Sequence, residues 1–253
     1  MTFEYFGARF RLFNTSVSQA MFYIPSRWHG ARDMRLLRKL VRPGDTIVDI
    51  GANVGSHSIP LAKMLGTTSR VYAFEPHPRT FAYLRANAAL NRLPNLHLYN
   101  LALGDREGEI AFTDERSDDL NRVLLHGSGS ITVPIKRLDS IEALADTAIH
   151  LLKIDVEGYE LSVLRGASKA LQRTEFIFLE ANTRHSQEFG ILYKILQAVC
   201  TRRTGRSTEF PTHKPWWSCP KRPMWTIGRT GSRRGMSPCC ANGWRDKGFS
   251  CNR

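Results

Sequence analysis

The residues best suited to chemistry stand directly after short apolar runs of the chain. The run at 46–50, TIVDI, leads into a Gly-Ala-Asn-Val-Gly turn at 51–55, and the run at 70–74, RVYAF, leads into Glu75. Glycines allow a sharp turn and a close approach of a ligand to the backbone. A carboxylate at the next strand end can accept hydrogen bonds from ribose hydroxyls. Together the two features predict a nucleoside site.

The turn at 51–55 differs from a dinucleotide fingerprint. In G-x-G-x-x-G the glycines bring N–H groups to a pyrophosphate, whereas here Asn53 stands at the position of the second glycine. We therefore expect an adenosine-type ligand without a pyrophosphate. S-adenosylmethionine fits, because it joins adenosine directly to an amino acid. An oxidoreductase that binds NAD or a nucleotide sugar is the alternative.

A third group of acids follows the run at 150–155, HLLKID. Asp155 stands at the tip of this predicted strand, where a carboxylate can take a proton from a hydroxyl or help to hold a cationic sulfonium. Glu157 is the second catalytic candidate. Glu160 begins the next predicted helix, where an acid also suits the helix dipole.

Two histidines and a metal ion also need to be considered. His57 and His77 lie near the predicted site, but each is also an ordinary polar residue at the start of a helix. The carboxylates of Asp155 and Glu180, at the ends of adjacent predicted strands, could share a divalent metal ion. Nothing in the sequence requires that ion, and we assign no metal ligand.

These residues must be positioned by alternating strands and helices. The predicted strands are 46–50, 70–74, 96–103, 150–155 and 176–180, and the predicted helices are 56–65, 79–90, 161–172 and 187–199. This order predicts an α/β fold, a doubly wound, Rossmann-like, mostly parallel sheet that binds ligands at the carboxyl ends of its strands. Residues 114–130 are predicted to form a loop. Pro134 predicts that 131–141 is an edge strand.

The chain divides by composition into three parts. Residues 1–40 are expected to be a helical or irregular lead-in, 41–199 the α/β domain, and 200–253 a basic tail. The formal net charge is +13, and the tail holds twelve basic residues against two acidic ones. It also holds all five cysteines and four of the five tryptophans. The remainder of the chain is therefore close to neutral.

Several interpretations of the tail stay open. Its low aliphatic content favours disorder, its Arg and Trp residues could contact nucleic acid, and its abrupt change of composition is typical of a disrupted reading frame. Its cysteines lack the paired spacing of a zinc site. We expect no strand pair beside 176–180 from this segment, and hence low stability and weak activity. A non-catalytic, basic nucleic-acid-binding protein is a further alternative, which the near-neutral body disfavours.

Composition excludes several protein classes. Hydrophobic residues make up 42% of the chain and charged residues 23%, a balance that excludes collagen, a coiled coil and wholesale disorder. No apolar stretch reaches the roughly 18 residues of a membrane-spanning helix. The N-terminus, MTFEYFGARFRLF, has no apolar core of a secretory signal. We expect a cytoplasmic protein whose partner is a small molecule or a glycan.

Four segments in order resemble the signatures of the FkbM-type methyltransferases. They are VDIGANVGSHS, YAFEPHP, NLALGD and LLKIDVEGYELSVLRGA, and the resemblance runs from about residue 41 to about residue 192. The resemblance implies a Rossmann-like class I fold that binds S-adenosylmethionine. It also implies methyl transfer to a hydroxyl on a sugar or another small secondary metabolite.

The resemblance assigns roles to individual residues. Asp49, Gly51, Asn53 and Gly55 match the family's first cofactor loop, and Glu75 matches its ribose acid. Asp155 matches the family's strand-four acid, and the rest of that signature is matched by Glu157, Gly158 and Glu160. Many class I methyltransferases carry an acid after the third strand that meets adenine, but Leu101 stands near that point here. The adenine contact is therefore assigned to the backbone or to Asn100.

Overall fold

In the computed structural model, residues 2–11, 13, 29–115, 121–124, 131–181 and 224–229 are described. The helix predicted at 187–199 and most of the tail lie outside these ranges. The strands are β1 (Thr2–Tyr5), β2 (Ala8–Arg11), β3 (Thr46–Ile50), β4 (Arg70–Phe74), β5 (Leu96–Tyr99), β6 (Ala102–Leu103), β7 (Gly108–Phe112), β8 (Ile131–Lys136), β9 (Ile149–Ile154), β10 (Thr174–Ala181) and β11 (Met224–Arg229). The α-helices are α1 (His29–Leu40), α2 (Ser58–Leu65), α3 (Pro78–Asn91), α4 (Glu160–Arg165) and α5 (Ser168–Gln172).

The central sheet has the strand order β11-β10-β9-β3-β4-β5. All neighbouring strands in it are parallel except β11, which is antiparallel to β10. The chain moves outward from β3 through β4 to β5 on one side, and from β9 to β10 on the other. The order therefore reverses between β3 and β9, where a doubly wound sheet binds its ligand. The predicted fold class is confirmed.

The central sheet is covered on both faces, which is why most residues of its strands are apolar. Ile47, Val71 and Leu151 face a core that includes side chains of α1 and α2. The next residues along the same strands, such as Val48 and Leu152, face a second core. This core also contains side chains of α4, of α5 and of a second, three-stranded sheet formed by β6, β8 and β7. Alternation along each strand thus feeds two separate cores.

Two predicted elements are interrupted. The predicted strand 96–103 divides into β5 and β6, because β6 leaves the central sheet and pairs with β8. The predicted helix 161–172 divides into α4 and α5 around Gly166. A Cβ on Gly166 would lie 1.7 Å from the carbonyl oxygen of Gly104, so the chain bends where two backbone segments touch.

The interpretation of 131–141 as an edge strand is wrong. β8 is the central strand of a three-stranded sheet, with β6 parallel on one side and β7 antiparallel on the other. Pro134 is tolerated because β6 has only two residues and pairs with Ile135 and Lys136, beyond the proline. Proline has no N–H to donate, and the hydrogen bonds between β6 and β8 do not need one at position 134.

The N-terminal lead-in is helical only in part. α1 is a helix, but β1 and β2 form an antiparallel hairpin instead of irregular structure. Phe6 and Gly7 join the strands with φ values of 48° and 78°, as in the turns that suit tight hairpins. Asn91 of α3 bonds both the N–H and the carbonyl of Arg9, over 2.8 and 2.7 Å, which fixes the hairpin on α3.

The prediction that the tail adds no strand beside 176–180 is wrong. β11 pairs with β10 over six residues, from Phe176 opposite Arg229 to Ala181 opposite Met224. The local run Trp-Thr-Ile within β11 favours a strand, and the outer edge of β10 offers backbone groups that need partners. The overall composition of the tail did not indicate this short strand.

No helix within the described ranges is long and apolar enough to cross a bilayer.

Candidate functional site

The carboxyl ends of β3 and β9 lie side by side at the point where the strand order reverses. The N–H of Asp155, one residue beyond β9, donates to the carbonyl of Ile50 over 3.0 Å. A Cβ on Gly51 would lie 1.8 Å from the carbonyl oxygen of Asp155, so only glycine fits at this approach. The predicted cofactor turn and the predicted base are thus brought together.

The turn after β3 is built from left-handed backbone. Gly51, Asn53 and Gly55 have φ values of 77°, 50° and 90°. The N–H groups of Gly51 and Ala52 both donate to the carbonyl oxygen of Phe74, over 3.0 Å each, which ties the turn to the end of β4. A Cβ on Gly55 would come within 2.5 and 2.8 Å of side chains on α2 and α3. This glycine therefore lets two helices close around the turn.

Glu75 lies against the same turn, as its position after β4 predicts. Its side chain is buried, and the N–H of Asn53 donates to Oε2 over 3.0 Å. The N–H of His77 donates to Oε1 over 2.9 Å. The two backbone donors hold the carboxylate by both oxygens, and this fixes the orientation in which it would meet a ribose.

Asn100, the predicted adenine contact, is engaged with the backbone. Its amide nitrogen donates to the carbonyl oxygens of Glu75 and Pro76, over 2.9 Å each. An amide nitrogen has two hydrogens, so both are used. The side chain of Asn100 thus supports the segment that carries the ribose acid, and only its oxygen is left for adenine.

Asp155 follows β9 directly, beside the glycine turn. Its side chain is 25% exposed, and its Oδ2 lies 3.4 Å from the Nζ of Lys153. Its Oδ1 has no partner among the described residues. A carboxylate with one oxygen held and the other open can accept a proton from a ligand in the crevice.

Asp49, predicted as a cofactor residue, lies behind the site. It is 1% exposed, its Oδ1 lies 3.0 Å from the Nζ of Lys153, and its Oδ2 accepts a hydrogen bond from the hydroxyl of Ser58. This burial leaves no surface of Asp49 for direct contact with a cofactor. We therefore assign Asp49 to the support of the site.

The acids after Asp155 separate into two roles. Glu157 is exposed, with a φ of 49°, and it remains a prediction as a catalytic residue. Glu160 is buried, and its Oε1 accepts a hydrogen bond from the N–H of Gly158 over 2.9 Å. Glu160 thus holds the turn that precedes α4, and its place in the first turn of that helix suits the helix dipole.

Lys153 is the residue that sequence reasoning missed. It is buried one residue before the end of β9 and bonds two carboxylates. A lysine inside an otherwise apolar strand is a signal in itself, because a buried charge needs partners of opposite charge. The run HLLKID contains this signal, although the partner on β3 is visible only in the fold.

His57 is buried beside this cluster. Burial, reinforced by the Lys153 ammonium, lowers the pKa of His57 from its ordinary 6.5 to about 4, against the opposing effect of Asp49 and Asp155. Its Nδ1 lies 3.4 Å from the hydroxyl of Ser56, and its Nε2 has no hydrogen-bond partner among the described residues. The imidazole is therefore neutral at pH 7.

His77 has a structural role at the start of α3. Its Nδ1 accepts the N–H of Thr80 over 3.4 Å, and its Nε2 lies 3.0 Å from the carboxylate of Asp114. Burial lowers its pKa below the ordinary value. The contact with Asp114 attaches the segment after β7 to the helix that follows Glu75.

Within the described ranges, no three His, Cys, Asp or Glu residues lie where they could hold a metal ion.

The sheet order, the glycine turn and the strand-end acid define a Rossmann-like, class I methyltransferase fold. The methyltransferase FkbM domain family matches residues 49–208, which is more than half of the chain. The chain belongs to this family of S-adenosylmethionine-dependent methyltransferases. The match favours neither the oxidoreductase nor the non-catalytic nucleic-acid-binding protein considered above.

Two curated relatives and one solved structure are similar to this chain. The hexuronic acid methyltransferase AglP of Haloferax volcanii is 32% identical over 60% of this chain and 62% of its own. The 31-O-demethyl-FK506 methyltransferase FkbM of Streptomyces tacrolimicus is 31% identical over 51% of this chain and 62% of its own. The chain thus spans about six-tenths of these relatives. A crystal structure of methyltransferase FkbM from Methylobacillus flagellatus is 21% identical, covers 62% of this chain and 38% of that one, and has a TM-score of 0.46.

Proposed function

We propose that this protein transfers a methyl group from S-adenosylmethionine to a hydroxyl oxygen of a sugar or another small metabolite. The observation that carries the proposal is the open Oδ1 of Asp155, beside the glycine turn at the reversal point of the sheet. We place the domain at 41–199, with β11 added to its sheet.

The residues around the turn fit S-adenosylmethionine. The turn at 51–55 lacks the second glycine of a pyrophosphate loop, and Glu75 stands where a ribose acid belongs. Glu75 would hold the ribose hydroxyls, and the turn would lie against the amino-acid part. When bound, the cofactor supplies a methyl group on a sulfonium sulfur.

Asp155 acts as the base in this proposal. Its held oxygen fixes the orientation of the carboxylate, and its open oxygen accepts the proton that the acceptor hydroxyl loses as it is methylated. The protein otherwise positions donor and acceptor and excludes water. The negative charge of Asp155 also suits the neighbourhood of a cationic sulfonium.

The names of the relatives support the class of acceptor. One is named for a hexuronic acid and the other for 31-O-demethyl-FK506, so a sugar acid and an oxygen of a secondary metabolite both occur among them. We propose the same two acceptor classes for this chain, with hexuronic acids and their glycosides as the first compounds to test.

Asp155→Asn tests the role of the base. The change keeps the shape of the side chain but removes its charge, so turnover with labelled S-adenosylmethionine should fall about 10²- to 10⁴-fold. Calorimetry should show donor affinity within a few-fold of the parent protein. Asp146→Asn, at an exposed aspartate outside the site, is the control and should keep full turnover. Equal turnover of Asp155→Asn and the parent protein would exclude Asp155 as the base.

A further inference from the structure

Lys153 lies between two carboxylates at the centre of the sheet. It stands directly opposite Asp49 in the register of β9 and β3, and its Nζ lies 3.0 Å from Asp49 Oδ1 and 3.4 Å from Asp155 Oδ2. The side chain of Lys153 is 2% exposed and that of Asp49 is 1% exposed. Solvent therefore screens little of the attraction within this cluster.

The two carboxylates would repel each other without a cation. They lie at the ends of adjacent strands, and both contact the same ammonium group. When two carboxylates share a site, one of them is pushed toward its protonated form. A protonated Asp155 could not accept a proton from an acceptor hydroxyl. A cation between the two acids removes this conflict.

Other groups around Lys153 do not replace its charge. Ser58 donates a neutral hydroxyl to Asp49, and His57 is held neutral by burial and by Lys153 itself. Phe178 faces Lys153 from β10 in the sheet register. Lys153 is thus the cation that the described residues place against these two carboxylates.

We propose that Lys153 is a positioning residue of the methyl-transfer site, which keeps Asp49 and Asp155 charged together and turns the open oxygen of Asp155 toward the acceptor. Asp49 fixes Lys153 from behind, and Ser58 fixes Asp49. This inference rests on the proposed function, because it assigns a purpose to the charge of Asp155. It gives the buried ion pair a role in catalysis in addition to any role in folding.

Replacing Lys153 by methionine tests the proposal by its pH dependence. In Lys153→Met the two acids face each other, so the acidic limb of the kcat/KM profile should move up by about one pH unit or more. Below the shifted limb kcat/KM should fall about 10-fold for each pH unit of the shift and should recover above it, while donor affinity stays within about threefold. A purely structural loss would not be rescued by raising the pH.

The double variant Asp49→Asn with Lys153→Met removes the opposing charge as well. Asp155 then faces no second carboxylate, so the acidic limb should return toward its original position and the turnover lost below the shifted limb should return. Because the double variant buries no unpaired charge, it should fold even if the single variant does not. Lys153→Arg keeps the cation and should keep the original limb. Lys169→Met, at an exposed lysine, is the control for the substitution itself.

A titration by ¹³C NMR gives a readout that does not need an acceptor. The carboxyl signal of Asp155 should titrate at higher pH in Lys153→Met than in the parent protein, and should return in the double variant. An unmoved signal, or a double variant no better than the single one, would overturn the role of Lys153. Absence of methyl transfer by the parent protein to every hydroxyl compound tested would instead overturn the proposed function, and the titration would still test Lys153, so the two failures are distinguishable.

Discussion

Glu75 shows how one side chain serves both the fold and the site. Its carboxylate accepts backbone N–H groups from Asn53, in the turn, and from His77, at the start of α3. The same carboxylate stands where a ribose would be held. The amide of Asn100 donates to the backbone carbonyls of Glu75 and Pro76 and so holds the segment that carries Glu75. The proposed ribose acid is thus oriented by the protein itself.

Glu75→Gln tests the ribose contact with little change of shape. Glutamine keeps one side-chain oxygen but loses the charge, and hydrogen bonds to charged groups contribute about 1.5–3 kcal/mol each. The dissociation constant for S-adenosylmethionine and for its demethylated product should therefore rise about 10-fold or more. Calorimetry measures this directly. Glu142→Gln, at an exposed acid, should bind normally, and an unchanged affinity of Glu75→Gln would exclude the ribose assignment.

At the scale of elements, the site depends on how closely β3 and β9 approach each other. Gly51 and Gly44 both have left-handed backbone, with φ values of 77° and 93°. A Cβ on Gly44 meets open space, whereas one on Gly51 would lie 1.8 Å from the carbonyl oxygen of Asp155. The two glycines share the backbone requirement and differ in the space around them.

Alanine substitutions at these two positions distinguish the cost of left-handed backbone from the cost of a steric overlap. Gly44→Ala should lower the free energy of unfolding by about 1–2 kcal/mol, because of left-handed backbone alone. Gly51→Ala should lower it by at least about 3 kcal/mol, because the overlap must push β3 and β9 apart. Urea unfolding compares them, and donor binding should fail only in Gly51→Ala. Equal losses of stability would contradict the close approach.

β11 closes the edge of β10, and a proline scan tests this pairing. Neighbouring residues of an antiparallel strand alternate between hydrogen-bonded and non-hydrogen-bonded positions, so Thr226→Pro and Ile227→Pro should differ. The variant that removes a ladder donor should lose about 1 kcal/mol or more relative to the other, and several degrees of melting temperature. Two variants as stable as the parent protein would show that β11 does not pair in solution.

At the scale of the whole molecule, the neutral His57 predicts sensitivity to acid. Its pKa is about 4 in the folded protein against an ordinary 6.5. Between these two pH values the unfolded chain binds a proton that the folded protein does not, so the free energy of unfolding falls as the pH falls. The full contribution is about 3 kcal/mol, present above pH 6.5 and lost progressively toward pH 4.

His57→Gln should flatten that dependence. Denaturant unfolding at pH 7, 6, 5 and 4 should show a smaller loss of stability per pH unit in this variant than in the parent protein. His97→Gln, at a half-buried histidine on β5, is the control and should keep the parent slope, because His57 is still present. An unchanged slope in His57→Gln would show that other groups govern the acid dependence.

Local sequence determined the strands that carry the site and the turn between them. The predicted strands 46–50 and 70–74 coincide with β3 and β4, because each is an apolar run bounded by turn residues. The glycine turn and Glu75 lie together as their positions after parallel strands require. The average composition of residues 200–253 led to a wrong prediction, because it does not reveal a strand as short as β11.

The partners of individual side chains were decided only by the tertiary structure. Asp49 and Lys153 are 104 residues apart in sequence, and only the parallel register of β3 and β9 places them opposite each other. Asp49 is buried within the sheet, whereas Asp155, beyond the end of β9, is partly exposed. Local propensity sets where a strand begins and ends, but the choice of neighbouring strand comes from burial of apolar surface across the whole sheet, and that choice decides which charges meet.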